Sequence, residues 1–196
     1  MKKGILVFIS LMMVTGSVFA ESKFSLSAGV GGLFSAGTVQ TITFGNDEYS
    51  GGFVSGGGYA FFDATYVEAS LGVSTGSIVL RDVDGEISKT NLNIGVIGKY
   101  PFRLTEKFHL FPMLGINYSL ALSVSDAGDP GDFSELWFQL GAGIDFFFTN
   151  NIFIRFSPLL GFRLPTKHES DLVNAGGSAD GIPFGFTARL AVGYRF

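Results

Sequence analysis

The chain contains no cysteine, so it has no disulfide framework, thiolate metal site or cysteine nucleophile. Histidine is nearly as scarce, and His109 and His168 stand too far apart to form a histidine-rich metal motif. Charged residues make up only 15%, and the net charge of −4 excludes the basic face that nucleic-acid binding needs. Beyond the N-terminus there is no run of the ~18 apolar residues that a membrane-spanning helix requires. Yet 46% of the 196 residues are hydrophobic, Phe alone numbers 22, and the mean hydropathy is +0.38. That content excludes disorder and suits one domain.

The first twenty residues form a targeting segment. Lys2 and Lys3 precede an apolar stretch from Ile5 to Val14, and Val18 and Ala20 supply the small residues read by a signal peptidase. This predicts a secretory signal peptide over 1–20, cleaved after Ala20, with the functional domain over 21–196. The stretch is too short to serve comfortably as a membrane anchor.

The remainder keeps a period of two. In the last stretch Phe184, Phe186, Ala188, Leu190, Val192, Tyr194 and Phe196 alternate with small or cationic residues. The pattern recurs from Phe24 to Gly31, from Val67 to Ser74, around Leu92 to Val96, and over 107–122, 135–148 and 152–164. Over 52–62 the triplet Gly56-Gly57-Gly58 blurs it. Eight strands of about ten residues are predicted, the length a tilted strand needs to cross a bilayer. Short connections (63–65, 101–106, 149–151) alternate with long polar ones (36–50, 75–88, 123–135, 165–182). Strands in lipid must pair on both edges, so the sheet has to close. Aromatic residues also gather at strand ends: Phe61, Phe62, Tyr66, Tyr100, Phe102, Phe108, Phe146, Phe148, Tyr194 and Phe196 lie near the short turns. Phe34, Phe53, Tyr118, Trp137, Phe138, Phe162 and Phe184 lie towards the long loops. Two interfacial girdles are expected. The predicted fold is therefore all-β: a transmembrane antiparallel up-and-down barrel of eight strands, with short periplasmic turns and long extracellular loops.

The ending Leu190 to Phe196 resembles the C-terminal insertion signal of bacterial outer-membrane proteins. The resemblance implies that Val192, Tyr194 and Phe196 are read by the assembly machinery. The whole of 21–196 resembles the small eight-stranded barrels of the outer-membrane protein A, W-type and X-type group. It implies an outer-membrane location in a diderm bacterium, a lipid-embedded monomer and no cofactor. W-type relatives are described as having an apolar lumen that passes small hydrophobic molecules. Here Phe111, Met113, Trp137 and Leu159 share the inward phase.

That inward face also carries Glu68, Lys99, Asp145, Arg155, Arg163 and Arg189, with Asn91, Asn93, Asn117 and Gln139. An eight-stranded barrel is only just wide enough for side chains to fill it. Either the charges pair and plug the lumen, or four cations against two acids line a narrow anion-favouring pore. Pro112 and Pro158 fall within strands, where bulges are expected. Twelve of the 17 acids fall in the long loops, among them Asp126, Asp129 and Asp132, whose spacing does not match a calcium loop. These loops are a solvated surface or the contact for an extracellular ligand. His168-Glu169-Ser170 resembles the His-x-Ser of lipid A deacylase barrels. The resemblance fails at Asp171-Leu172 and at Pro183, where that family continues differently and supplies a Glu. The reading is a structural scaffold presenting acidic loops over a closed lumen. A narrow solute channel and a surface adhesin are the alternatives, and no enzyme is expected.

Overall fold

The computed structural model describes residues 24–39, 41–44, 47–80, 86–125 and 129–196. The predicted signal peptide lies outside them. Alternating side chains place one face of each strand in lipid and the other inside. The barrel strands are β1 (Leu26–Thr38), β4 (Gly51–Ala64), β5 (Val67–Leu80), β6 (Glu86–Lys99), β8 (Phe108–Val124), β9 (Glu135–Phe147), β10 (Ile152–Arg163) and β12 (Phe184–Arg195). Each pairs antiparallel with its neighbours in that order, and β1 closes on β12 from Ser27↔Arg195 to Gly37↔Gly185. The outer face is apolar: Leu71, Leu114, Leu140, Leu160, Leu190 and Val192 are all exposed. Lipid must cover such a surface.

The strands run further than expected. β5 continues through Leu80 and β6 begins at Glu86, so most of the predicted 75–88 loop is ladder. There the outward positions are mixed, with Val79 exposed among hydroxyl residues, and Thr75 and Thr90 meet hydroxyl to hydroxyl at 3.3 Å across the pair. Polar cross-strand pairs stabilise a sheet but leave no hydrophobic alternation to read. Neither internal proline causes a bulge. The Pro112 carbonyl accepts from the Tyr100 N–H at 3.3 Å, so its ring nitrogen faces the place where β6 has just ended. Beside Pro158 the β10–β9 pairing lapses between Phe156↔Ile144 and Leu159↔Gly141 and then resumes in unchanged register. The register shift that does occur lies between Thr90 and Asn91 on β6, opposite β8.

The long-loop end is structured. β2 (Thr41–Phe44) and β3 (Asp47–Tyr49) from the first long loop join β11 (Ser178–Asp180) from the last in a three-stranded sheet. Helix α1 (Lys167–Asn174) precedes β11. It starts with a capping box, in which Glu169 N–H donates to the Thr166 hydroxyl and Thr166 N–H donates to the Glu169 carboxylate. A 3-10 turn, Pro130–Phe133, closes the third long loop, capped by Asp129. At the other end Phe102–Arg103 makes a two-residue strand, β7, against β8.

Candidate functional site: the lumen

Inward side chains of β4, β5, β8, β9 and β10 meet at Arg155, which is 1% exposed. Its direct cross-strand neighbour is Asp145, and Nε and Nη2 donate to the two Asp145 carboxylate oxygens at 2.7 Å each. This is the bidentate fork that guanidinium geometry favours. Nη1 reaches across to Glu68 at 2.6 Å, and Nη2 lies 2.8 Å from Asp63. Asp63 and Glu68 face each other in the β4–β5 register, so two like charges adjoin and need cations between them. Lys99 provides a second cation by pairing with Asp63.

Three rings hold the guanidinium: Phe61, Phe111 and Phe153, with centroids at 4.7, 4.9 and 5.1 Å. Each ring lies opposite a glycine on the neighbouring strand: Phe61 on Gly29, Phe111 on Gly143, Phe153 on Gly193. A Cβ at any of those glycines would occupy the volume of the ring. The glycines therefore let three phenyls lie flat inside a narrow barrel.

Arg189 stands on the other side of Glu68. Its Nη1 donates to Glu68 Oε1 at 3.4 Å, and its guanidinium lies over Tyr59. Glu68 thus joins two arginines through its two oxygens. Two cavities approach this layer from opposite ends. One, of about 320 Å³ towards the short turns, is bordered by Asp63, Lys99, Asp145 and Arg155. The other, of about 70 Å³ towards the long loops, is bordered by hydroxyl and amide side chains, with Lys89, Glu135, Trp137 and Arg189. They share no lining residue, and Glu68 borders neither. Ile97, Met113, Phe111 and Leu159 fill the same level as one apolar cluster.

Arg163 is in the lumen but not in this network. Its fork closes on Glu169 of α1 at 2.5 and 2.6 Å, with Glu135 at 3.8 Å from Nε. Lys89 pairs with Glu135 at 3.1 Å and donates to the Phe133 carbonyl at 2.6 Å. Asp63, Lys89, Glu135 and Glu169 were not among the predicted lumen residues, because all four lie near strand ends or in loops. With them, five buried cations meet five acids among the described residues, and the expected excess of positive charge disappears. The capping-box spacing of Thr166 and Glu169 was the sequence signal available for α1.

The aromatic girdles also need correction. Phe61 and Trp137 are buried and point inward, and Phe53 packs edge-on to Trp137 at 5.6 Å. Phe62, Tyr66, Phe148, Tyr194 and Phe196 face outward at one end, and Phe34, Tyr118, Phe162 and Phe184 at the other. The predicted insertion-signal residues Val192, Tyr194 and Phe196 all lie on that outer face, and the Phe196 N–H donates to the Leu26 carbonyl at 2.9 Å.

His168 and Ser170 do not form a nucleophile–base pair. Residues two apart on a helix face different ways. The His168 ring stacks on Phe133 at 4.6 Å, and the Ser170 hydroxyl donates to the Thr166 carbonyl at 2.9 Å. Of the three spaced loop aspartates, Asp126 lies outside the described residues. Asp129 accepts from the Gly131 N–H, and Asp132 pairs with Lys167 at 2.8 Å. No cluster of three or more candidate metal ligands occurs among the described residues.

The model of the outer membrane protein beta-barrel domain matches residues 6–196. The chain belongs to that family. The solved barrel of OprG from Pseudomonas aeruginosa is similar in fold, with a TM-score of 0.51 and 11% identity over 87% of this chain and 95% of that one. Ail from Yersinia pestis aligns with a TM-score of 0.42 and 15% identity, covering 89% of this chain and 99% of that one. Neisserial surface protein A aligns with a TM-score of 0.46 and 10% identity, covering 87% and 95%. No curated protein matches the chain. As a member of the family it is an outer-membrane protein, and its strands cross the lipid bilayer.

The Arg163–Glu169 pair fixes the outer helix to the barrel and makes that contact pH-dependent. Burial alone would raise the Glu169 carboxyl. The Arg163 hydrogen bonds and charge, with the Thr166 N–H and hydroxyl, outweigh it and hold the carboxyl below its ordinary range. A group depressed on folding stabilises above its unfolded pKa and loses that contribution as pH falls through its folded one. Acidification through and below the carboxylate range should therefore speed hydrogen exchange over 165–176 while the strands stay protected. Glu169→Gln should show the fast rate already at neutral pH. A segment whose corrected exchange is unchanged to pH 3, with the variant like the parent, would contradict this.

Proposed function

We propose that this protein is a structural outer-membrane barrel, a monomeric, non-enzymatic scaffold whose lumen is sealed by charged side chains and whose loops present acidic residues outside the cell. One observation carries the reading: Glu68 links Arg155 and Arg189 in a layer that separates the two cavities. A buried charge layer in balance is costly to break, because removing any member strands its partner. The absence of a His168–Ser170 contact supports the non-enzymatic part. Val192, Tyr194 and Phe196 serve as the signal for the assembly machinery, and the acidic loops are the surface open to an extracellular ligand.

A narrow channel is the second reading. It draws on the two cavities that approach the layer from opposite ends. Planar-bilayer conductance separates the two. Barrel shown to be folded by its heat-dependent gel mobility should give a silent bilayer. Stable steps whose ion selectivity changes on substituting Arg155 or Arg163 would overturn the sealed reading in favour of the channel.

A further inference from the structure

The cavity on the short-turn side of Glu68 carries more positive charge than its acids take up. Lys99, Arg103, Arg155 and Arg195 border this space of about 320 Å³ together with the His109 ring, against Asp63, Asp145 and the last residue, Phe196. Both aspartates are already engaged: Asp145 holds Arg155 through its two oxygens, and Asp63 pairs with Lys99 and Arg155. The terminal carboxylate of Phe196 offsets one charge at most. Arg195 has no acidic partner among the described residues. Its Nη2 donates to the Asn150 carbonyl at 2.9 Å, and its guanidinium lies 4.3 Å from the centre of the Phe147 ring. The His109 ring packs on the same phenyl at 4.7 Å and makes no hydrogen bond to the described residues.

Water can satisfy the N–H groups of such side chains, but it supplies no counter-charge. A cleft lined by one sign of charge concentrates ions of the other. The donors narrow the chemistry. A guanidinium offers a fixed fork that phosphate oxygens match, and a protonated imidazole adds a further N–H. Arg195 is on β12 and His109 on β8, with β9 and β10 between them, so the two approach from different sides. That arrangement suits the tetrahedral oxygens of a phosphate better than a planar carboxylate. The volume exceeds a bare oxyanion: at roughly 10–15 Å³ for each water-sized position it holds more than about twenty heavy atoms. Phe111, Phe147 and Phe153 line the remainder with rings suited to C–H groups.

The geometry points to a site in the short-turn half of the lumen for the phosphate group of a small organic solute, held by Arg195 and His109. It lies wholly on one side of Glu68, so it stands whether the lumen is sealed or conducts.

His109 and His168 are the only histidines in the chain, one at the short-turn end of β8 and the other on α1 in a long loop. The first reports on the site, and the second is a control in the same spectrum. The untagged protein, folded in detergent micelles at fixed pH and ionic strength, is titrated with glycerol 3-phosphate while the imidazole proton resonances are followed. His109 should shift saturably and His168 should stay in place. Inorganic phosphate should act more weakly, and glycerol not at all. Arg195→Gln keeps a donor for the Asn150 carbonyl. It should weaken glycerol 3-phosphate at least tenfold, with the heat-dependent gel shift and the His168 resonance as in the parent. Both histidines shifting together without saturation, or glycerol matching its phosphate ester, overturns the site on the unmodified protein alone. Inorganic phosphate binding as tightly as the ester overturns the organic part of the assignment. Folded Arg195→Gln protein that binds as the parent does overturns the role of Arg195.

Discussion

Arg155→Met should lower the stability of the folded barrel by about 3–5 kcal/mol, the range for removing one partner from a buried ionic cluster. The methionine keeps much of the volume and can still touch Phe61, Phe111 and Phe153, so the loss reports charge rather than packing. Asp63, Glu68 and Asp145 would be left with Lys99 and Arg189 alone, and the Asp145 fork would have no donor. Unfolding by urea in lipid vesicles, followed by gel mobility, measures the effect. A loss below about 1 kcal/mol would mean that water reaches the three carboxylates and that the cluster is not dry.

Glu68→Ala should turn a silent barrel into a conducting one. It deletes the side chain that separates the two cavities and releases Arg189 from its ion pair, while Arg155 keeps Asp63 and Asp145. The new passage should favour anions, because the freed Arg189 borders it. Glu68→Gln keeps the bulk without the charge, and should conduct far less than the alanine variant. Reversal potentials and step amplitudes in planar bilayers test both. Folded Glu68→Ala protein that stays silent would show that Ile97, Met113 and Leu159 close the lumen without it.

The strand count, the faces and the charged inward set were legible because alternation survives wherever the outer residue meets hydrocarbon. Glu68, Lys99, Asp145, Arg155, Arg163 and Arg189 all follow that rhythm, and each is buried. Their partners lie at its margins or beyond it. Asp63 is the last residue but one of β4, Glu135 the first residue of β9, and Glu169 is on a helix that reaches back to Arg163. Lys89 belongs to the start of β6, where Ile87 shares the inward phase with Lys89 and Asn91 and the outward residues Ser88 and Thr90 are polar. Ion pairing between elements is set by closure of the barrel, which brings Glu68 and Arg155 together across 87 residues of sequence. The loop sheet was hidden for a similar reason: strands of three and four residues carry no period, and β2 and β11 come from opposite ends of the chain.

That small sheet lies where the first and last barrel strands meet. β2 follows β1, β11 precedes β12, and their pairing from Ser178↔Thr43 to Asp180↔Thr41 spans the seam of the barrel on its outer side. The first and fourth loops therefore form one structural unit. A lengthened or recoloured first loop must be matched in the fourth, or the clasp opens. The third loop is fastened to the fourth as well, through the Asp132–Lys167 ion pair and the stacking of Phe133 on His168. A change at Asp132 or Phe133 must accordingly be accommodated by the helix of the fourth loop, just as a change in the first loop must be met by β11.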